Sequence, residues 1–127
     1  MAHRTERELL DREIVRGIQA AFGVDEPQAF ASLVDDFLET GEASLASIEE
    51  AIADKDWDEA RQISHRLKGM SSQLGASALK HLSSELERQL DHNPTRSLLD
   101  RVSRMKAVLH QTAEAYDCLI DRVGCAE

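Results

Sequence analysis

The sequence predicts an all-α fold, an antiparallel up-down four-helix bundle with an additional N-terminal helix. Apolar residues recur every three or four positions through five segments, which is the period of helices that bury one side. The chain has only two prolines in 127 residues, and Val, Ile and Thr never alternate over a strand-length run. Its length favours a single domain over residues 1–127 with one hydrophobic core.

The additional N-terminal helix is predicted at about residues 5–22. A capping-box pattern begins at Thr5, and Gly23 is typical of a helix stop. The first bundle helix is predicted at about 27–53. It begins at Pro27, where the missing backbone N–H would be unpaired in any case.

Three further bundle helices follow after short breaks. Asp56 begins a second capping box, Gly75 ends the helix that follows, and Pro94 is suited to the first turn of the last one. The predicted spans are about 56–74, 77–91 and 94–123. Because short connections place consecutive helices antiparallel, these helices complete the up-down bundle.

Composition excludes several functional classes. The formal net charge is −9 and the sequence has no basic run, which argues against binding to nucleic acid. The apolar runs are far too short to cross a membrane, and the N-terminus lacks the apolar core of a signal peptide. We therefore expect a cytoplasmic protein that binds neither nucleic acid nor membrane.

The two cysteines are expected to be reduced thiols. Cys118 and Cys125 are seven residues apart, and on one helix that spacing corresponds to about 10 Å of rise, too far for a disulfide.

The most informative segment surrounds His65. When the second bundle helix (about 56–74) is projected at about 100° per residue, the apolar side chains gather opposite this histidine, while Lys68 and Gly69 flank it on the polar side. The apolar set is Ala60, Ile63, Leu67, Met70 and Leu74. A glycine inside a helix costs about 1 kcal/mol relative to alanine, so Gly69 indicates a surface cleared for the approach of a partner.

This segment resembles the histidine phosphotransfer (HPt) domain family of two-component phosphorelays. The matching residues are His65, Leu67, Lys68, Gly69, Ser71, Leu74, Gly75 and Ala76, followed on the next helix by Leu79, Leu82, Leu86 and Glu87. Met70 departs from the pattern, because many members have a small residue there.

The resemblance implies a role for each polar residue. His65 would accept the phosphoryl group, through Nε2 in this family, and neutral imidazole is a competent nucleophile because its unperturbed pKa is about 6.5. Lys68 would offset the phosphoryl charge, and Gly69 would allow the partner to come close. Ser72 is available to hydrogen-bond the group or a water, and Glu87 is a candidate for orienting the imidazole.

The resemblance also implies the partners. The chain has no GxxxxGK or GxGxxG loop for a nucleotide, so it is predicted to be a phosphorelay intermediate and not a kinase. Phosphate would come from and pass to the receiver domains of response regulators, of a hybrid sensor kinase, or of both. No cofactor or metal is expected on this chain, which we expect to be a monomer. Mg²⁺ would be bound by the receiver.

Three alternatives remain at this point. The chain could be a non-phosphorylated helical scaffold or inhibitor of a kinase or response regulator. It could be the isolated phosphotransfer domain of a chemotaxis-type kinase, although Met1 and the complete set of capped helices favour a free-standing protein. A metal-binding bundle would need Glu-x-x-His pairs, but Gln62 precedes His65 and Ala78 precedes His81 at that spacing.

Overall fold

The structure, a computed structural model, describes residues 6–22, 27–92 and 97–121, and within these ranges all regular secondary structure is helical. The prediction of an all-α fold is therefore confirmed. The helices are α1 (Glu6–Leu9), α2 (Arg12–Phe22), α3 (Pro27–Ala53), α4 (Trp57–Gln73), α5 (Ser77–His92) and α6 (Ser97–Asp121). None of the helices in the described part of the chain is long and apolar enough to span a membrane.

The N-terminal region contains two helices where the sequence analysis expected one. The break comes at Asp11, whose side-chain Oδ1 accepts hydrogen bonds from the backbone N–H groups of Glu13 (3.1 Å) and Ile14 (3.3 Å). Asp11 thus caps α2 in the way that short polar side chains commonly begin helices. The predicted start at Thr5 and stop at Gly23 lie outside the described residues.

The four long helices pack side by side around one core. α4 contacts α3 and α5, and α6 contacts the same two helices from the other side. The side chains that fill the centre are almost fully buried. The largest of them are Leu45, Ile48, Leu67, Leu79, Leu86, Leu98, Met105 and Tyr116.

Both ends of α4 are held by specific hydrogen bonds. At its start, the Asp56 side chain accepts from the backbone N–H of Glu59 at 3.2 Å. Near its end, the buried Tyr116 hydroxyl donates to the carbonyl of Leu74 at 2.5 Å. Because both ends are anchored, α4 provides a rigid platform for the residues on its outer face.

The turn between α4 and α5 requires a glycine. Gly75 has a φ of +72°, and a Cβ placed there would lie 3.1 Å from the Asp11 carbonyl oxygen and 3.2 Å from Ile14. The Asp11 N–H donates to the Gly75 carbonyl at 2.7 Å, so the segment between α1 and α2 packs directly against this turn. A side chain at position 75 would disrupt both the turn and this contact.

The prediction of two reduced thiols is wrong, because Cys118 is disulfide-bonded. Helical rise fixes the distance between two cysteines only when both lie on one helix, and α6 ends at Asp121. Cys125 lies outside the described residues.

Candidate functional site

His65 lies on the exposed face of α4, with 63% of its side chain accessible to solvent. The opposite face of the helix is buried in the bundle. Of the apolar residues assigned to that face, Ala60, Ile63, Leu67 and Leu74 are buried and Met70 is partly buried. The histidine is therefore open to another macromolecule while its backbone is held by the core.

Glu87 on α5 connects the two polar residues of α4. Its Oε2 lies 2.9 Å from Nδ1 of His65, and its Oε1 accepts a hydrogen bond from the Lys68 ammonium at 2.9 Å. Only 20% of the Glu87 side chain is exposed, against 31% for Lys68. One half-buried carboxylate thus holds an imidazole and a cation that are one turn apart on the neighbouring helix.

The contact with Glu87 determines which nitrogen of His65 is available. An ionised carboxylate can only accept hydrogen bonds, so the His65 Nδ1 that faces it must carry the hydrogen. In the neutral ring, Nε2 then keeps a free lone pair. The geometry therefore leaves Nε2 as the ring nitrogen that could act as a nucleophile.

Two opposing effects set the pKa of Glu87. Burial raises it, but the hydrogen bonds from Lys68 and His65, together with the neighbouring positive charge, outweigh burial, so the pKa of Glu87 lies below its ordinary value. Glu87 is thus ionised near neutral pH, as the tautomer argument requires.

Gly69 leaves open space beside His65. A Cβ built at this position would have no atom within 4 Å, apart from the helix's own backbone. The glycine is therefore not required by packing within this chain. Its lack of a side chain leaves room for a molecule that approaches from outside.

Among the predicted site residues, Ser72 is the one that lies too far from His65 to contact a group on its ring. It lies on the same outward side of α4, but seven residues beyond His65, which corresponds to about 10 Å of rise. A serine side chain is too short to cross that distance. Ser72 can therefore contact a partner, but not a group attached to His65.

Arg61, for which the sequence pattern predicts no role, lies one turn before His65 on the same face. Its guanidinium donates to Asp58 Oδ1 at 2.8 Å, and its Nε lies 3.8 Å from Asp91 on α5. Gln62 donates to the other oxygen of Asp58 at 2.9 Å. Its spacing of four residues from His65 is the signal in the sequence that could have identified Arg61 as a neighbour of the histidine.

The described residues contain no group of three or more His, Cys, Asp and Glu side chains placed to bind a metal ion. They give the metal-binding alternative no structural support.

Comparisons with known proteins give one family match and one fold match. The family model described as the Hpt domain matches residues 32–115, more than half of the chain. A solved structure, that of histidine-containing phosphotransfer protein B (HptB) from Pseudomonas aeruginosa PAO1, superposes with a TM-score of 0.78 at 24% sequence identity. The match covers 89% of this chain and 95% of that chain, and at this identity it establishes a shared fold. The comparison with curated proteins gives no match.

Proposed function

This chain belongs to the Hpt domain family, and on that premise we propose that His65 is the residue through which it carries phosphate. Histidine phosphotransfer in two-component signalling is the function of the family, whose members are phosphorelay intermediates and not kinases. The observation that carries the assignment to His65 is the contact of its Nδ1 with Glu87, which leaves Nε2 as the free nucleophile on an exposed face.

The proposed reaction transfers a phosphoryl group between a receiver aspartate and His65. Nε2 attacks phosphorus, the bond between phosphorus and the aspartyl oxygen breaks, and the carboxylate leaves with the electron pair. The imidazole keeps its hydrogen on Nδ1 and becomes positively charged, so no proton has to leave. Transfer to the next receiver reverses these steps.

The neighbouring residues would lower the barrier by electrostatics. Glu87 can stabilise the positive charge that develops on the ring, because its carboxylate already accepts from Nδ1. Lys68 is held by the same carboxylate and retains other N–H donors for the phosphoryl oxygens. Gly69 would admit the backbone of the partner, and we propose that Ser72 contacts the partner surface.

We further propose that the whole chain, residues 1–127, is one domain and a monomeric, antiparallel four-helix bundle with the N-terminal helices added to it. The ring of contacts among the four long helices supports this arrangement. Its partners would be receiver domains of response regulators or of a hybrid sensor kinase. The proposal assigns Mg²⁺ to the receiver and no cofactor to this chain.

A cytoplasmic location remains a prediction. A receiver and its phosphate donor would have to share a compartment with this protein. The Cys118 disulfide is uncommon in the cytosol of mesophilic organisms, so cell fractionation is an informative test.

The direct test is phosphate transfer from phosphorylated receivers of the source organism to the purified protein. We expect acid-labile labelling of the wild-type protein, none of His65→Gln, and full labelling of the control His81→Gln, which removes an exposed histidine on α5. If His65→Gln is still labelled, the assignment is wrong. If the wild-type protein binds and regulates a receiver or kinase without being labelled, it is a scaffold instead.

A further inference from the structure

We propose that Arg61 is a second cationic contact for the phosphoryl group on Nε2 of His65, an inference that rests on the proposed function. Arg61 precedes His65 by four residues on α4, which places the two side chains next to each other on one face. Lys68 follows His65 by three residues. The two cations thus lie on either side of the imidazole along the helix.

The direction of helical side chains favours Arg61 as a phosphoryl contact. Side chains on an α-helix lean toward its N-terminus, which directs the His65 side chain toward the turn that contains Arg61 and away from Ser72. Arg61 leans the same way and reaches Asp58, so its guanidinium has to turn back toward His65 to bind the group. Because Nδ1 is directed at Glu87, Nε2 is the ring nitrogen that faces outward from α4. A phosphoryl group on Nε2 would therefore lie on the Arg61 side.

The charge balance of the site leaves room for another cation. A phosphoryl group on a side chain carries roughly two negative charges near neutral pH, of which the positively charged imidazole offsets one. Lys68 is already paired with Glu87 at 2.9 Å, so these two residues together are close to neutral. The planar guanidinium of Arg61 could bind two phosphoryl oxygens at once.

The present partners of Arg61 are weak enough to be exchanged. Asp58 and Asp91 have 69% and 62% of their side chains exposed, and ion pairs in such surroundings are strongly screened by solvent. If Arg61 leaves Asp58, the carboxylate keeps its hydrogen bond from Gln62. A dianionic phosphoryl group one turn away is a stronger acceptor than either carboxylate.

The first test uses phosphoramidate, a small phosphoryl donor with no docking surface, so that it reports on the site and not on partner recognition. Its phosphorus–nitrogen bond breaks as Nε2 attacks, and ammonia leaves. We expect Arg61→Ala to lower the rate of His65 phosphorylation roughly tenfold. The matched control is Arg66→Ala, an exposed arginine on the same helix, which should stay within about twofold of wild type.

A second variant separates phosphoryl contact from a structural role. Asp58→Asn releases Arg61 from its closest partner, so the phosphorylation rate should equal or exceed that of wild type. If Arg61 acted only by pairing with Asp58 to hold α4, this variant would lose as much activity as Arg61→Ala. Thermal unfolding followed by circular dichroism checks that both variants are folded.

NMR gives a readout that a structural role would not produce. The Arg61 Nε–H resonance should shift on phosphorylation of His65, while that of Arg66 should not. The Arg61 proposal is overturned if phosphoramidate labels Arg61→Ala as fast as it labels wild type. It is overturned as well if Arg61→Ala slows only the transfer from receivers. If wild type takes no phosphate from either donor, the proposed function itself has failed.

Discussion

Replacement of Glu87 by glutamine gives the sharpest prediction, because it alters the site with almost no change in volume. Glutamine has one acceptor oxygen and one donor NH₂ group where glutamate has two acceptors. The Lys68 ammonium, a charged donor, should take the oxygen. The NH₂ group would then face His65 Nδ1 and favour the tautomer with hydrogen on Nε2, which removes the nucleophilic lone pair.

The size of the effect follows from the contact that is lost. A hydrogen bond to a charged group contributes about 1.5–3 kcal/mol, and one between neutral groups about 0.5–1.5 kcal/mol. The expected loss in Glu87→Gln is the difference between these two kinds of hydrogen bond. Since 63% of the His65 side chain is exposed, solvent screening reduces that difference to about 1 kcal/mol. That value corresponds to roughly fivefold in rate, to which the unfavourable tautomer adds.

Two measurements check this reasoning. Long-range ¹⁵N–¹H NMR should find the hydrogen of the neutral His65 ring on Nδ1 in wild type and on Nε2 in Glu87→Gln. Phosphorylation by receivers and by phosphoramidate should slow by a similar factor. Glu85→Gln is the matched control, because Glu85 lies on the same helix but pairs with Arg101 on α6. An unchanged rate in Glu87→Gln together with an unchanged tautomer would refute the role of the carboxylate.

Four further predictions concern stability and docking. Gly75→Ala should lower the free energy of unfolding, measured in urea, by about 1–2 kcal/mol. Gly75 has a positive φ, and an added Cβ would press against the N-terminal segment. Gly69→Ala should instead raise the free energy of unfolding by up to about 1 kcal/mol. It should slow phosphoryl transfer to His65 from receivers but not from phosphoramidate. Slower transfer from both donors would contradict a role of Gly69 in docking. Leu67→Ala, at a fully buried position, should lower the free energy of unfolding by about 2–5 kcal/mol. His65→Ala should change the same free energy by less than about 1 kcal/mol, because the side chain is exposed. Equal losses in the two variants would show that the buried and exposed faces of α4 are wrongly assigned. Because the pKa of folded Glu87 is lowered, its ionised form stabilises the protein above the unfolded pKa of about 4.3, and that contribution disappears as the pH falls through the folded pKa. The difference in unfolding free energy between wild type and Glu87→Gln should therefore shrink between pH 6 and pH 3, and a constant or growing difference would show that the carboxylate is not stabilised in the fold.

The N-terminal region shows where sequence reasoning about helices reached its limit. The apolar spacing there is compatible with one continuous helix, but the structure separates α1 from α2 at Asp11. The Asp11 N–H donates to the carbonyl of Gly75, more than sixty residues away along the chain. A local pattern contains no information about such a partner, so this break could not be predicted from spacing alone.

The site likewise contains features that one helix determines and features that depend on packing between helices. The exposed position of His65 and the proximity of Lys68 and Gly69 could be read from the sequence, because all three depend only on the fixed period of one helix. That Glu87 holds both His65 and Lys68 depends on the register between α4 and α5, which is decided by how their side chains pack. The sequence by itself therefore determined which residue would carry the phosphoryl group in this proposal. Only the tertiary structure decided which of its nitrogens is free, since that choice depends on an acceptor from another helix.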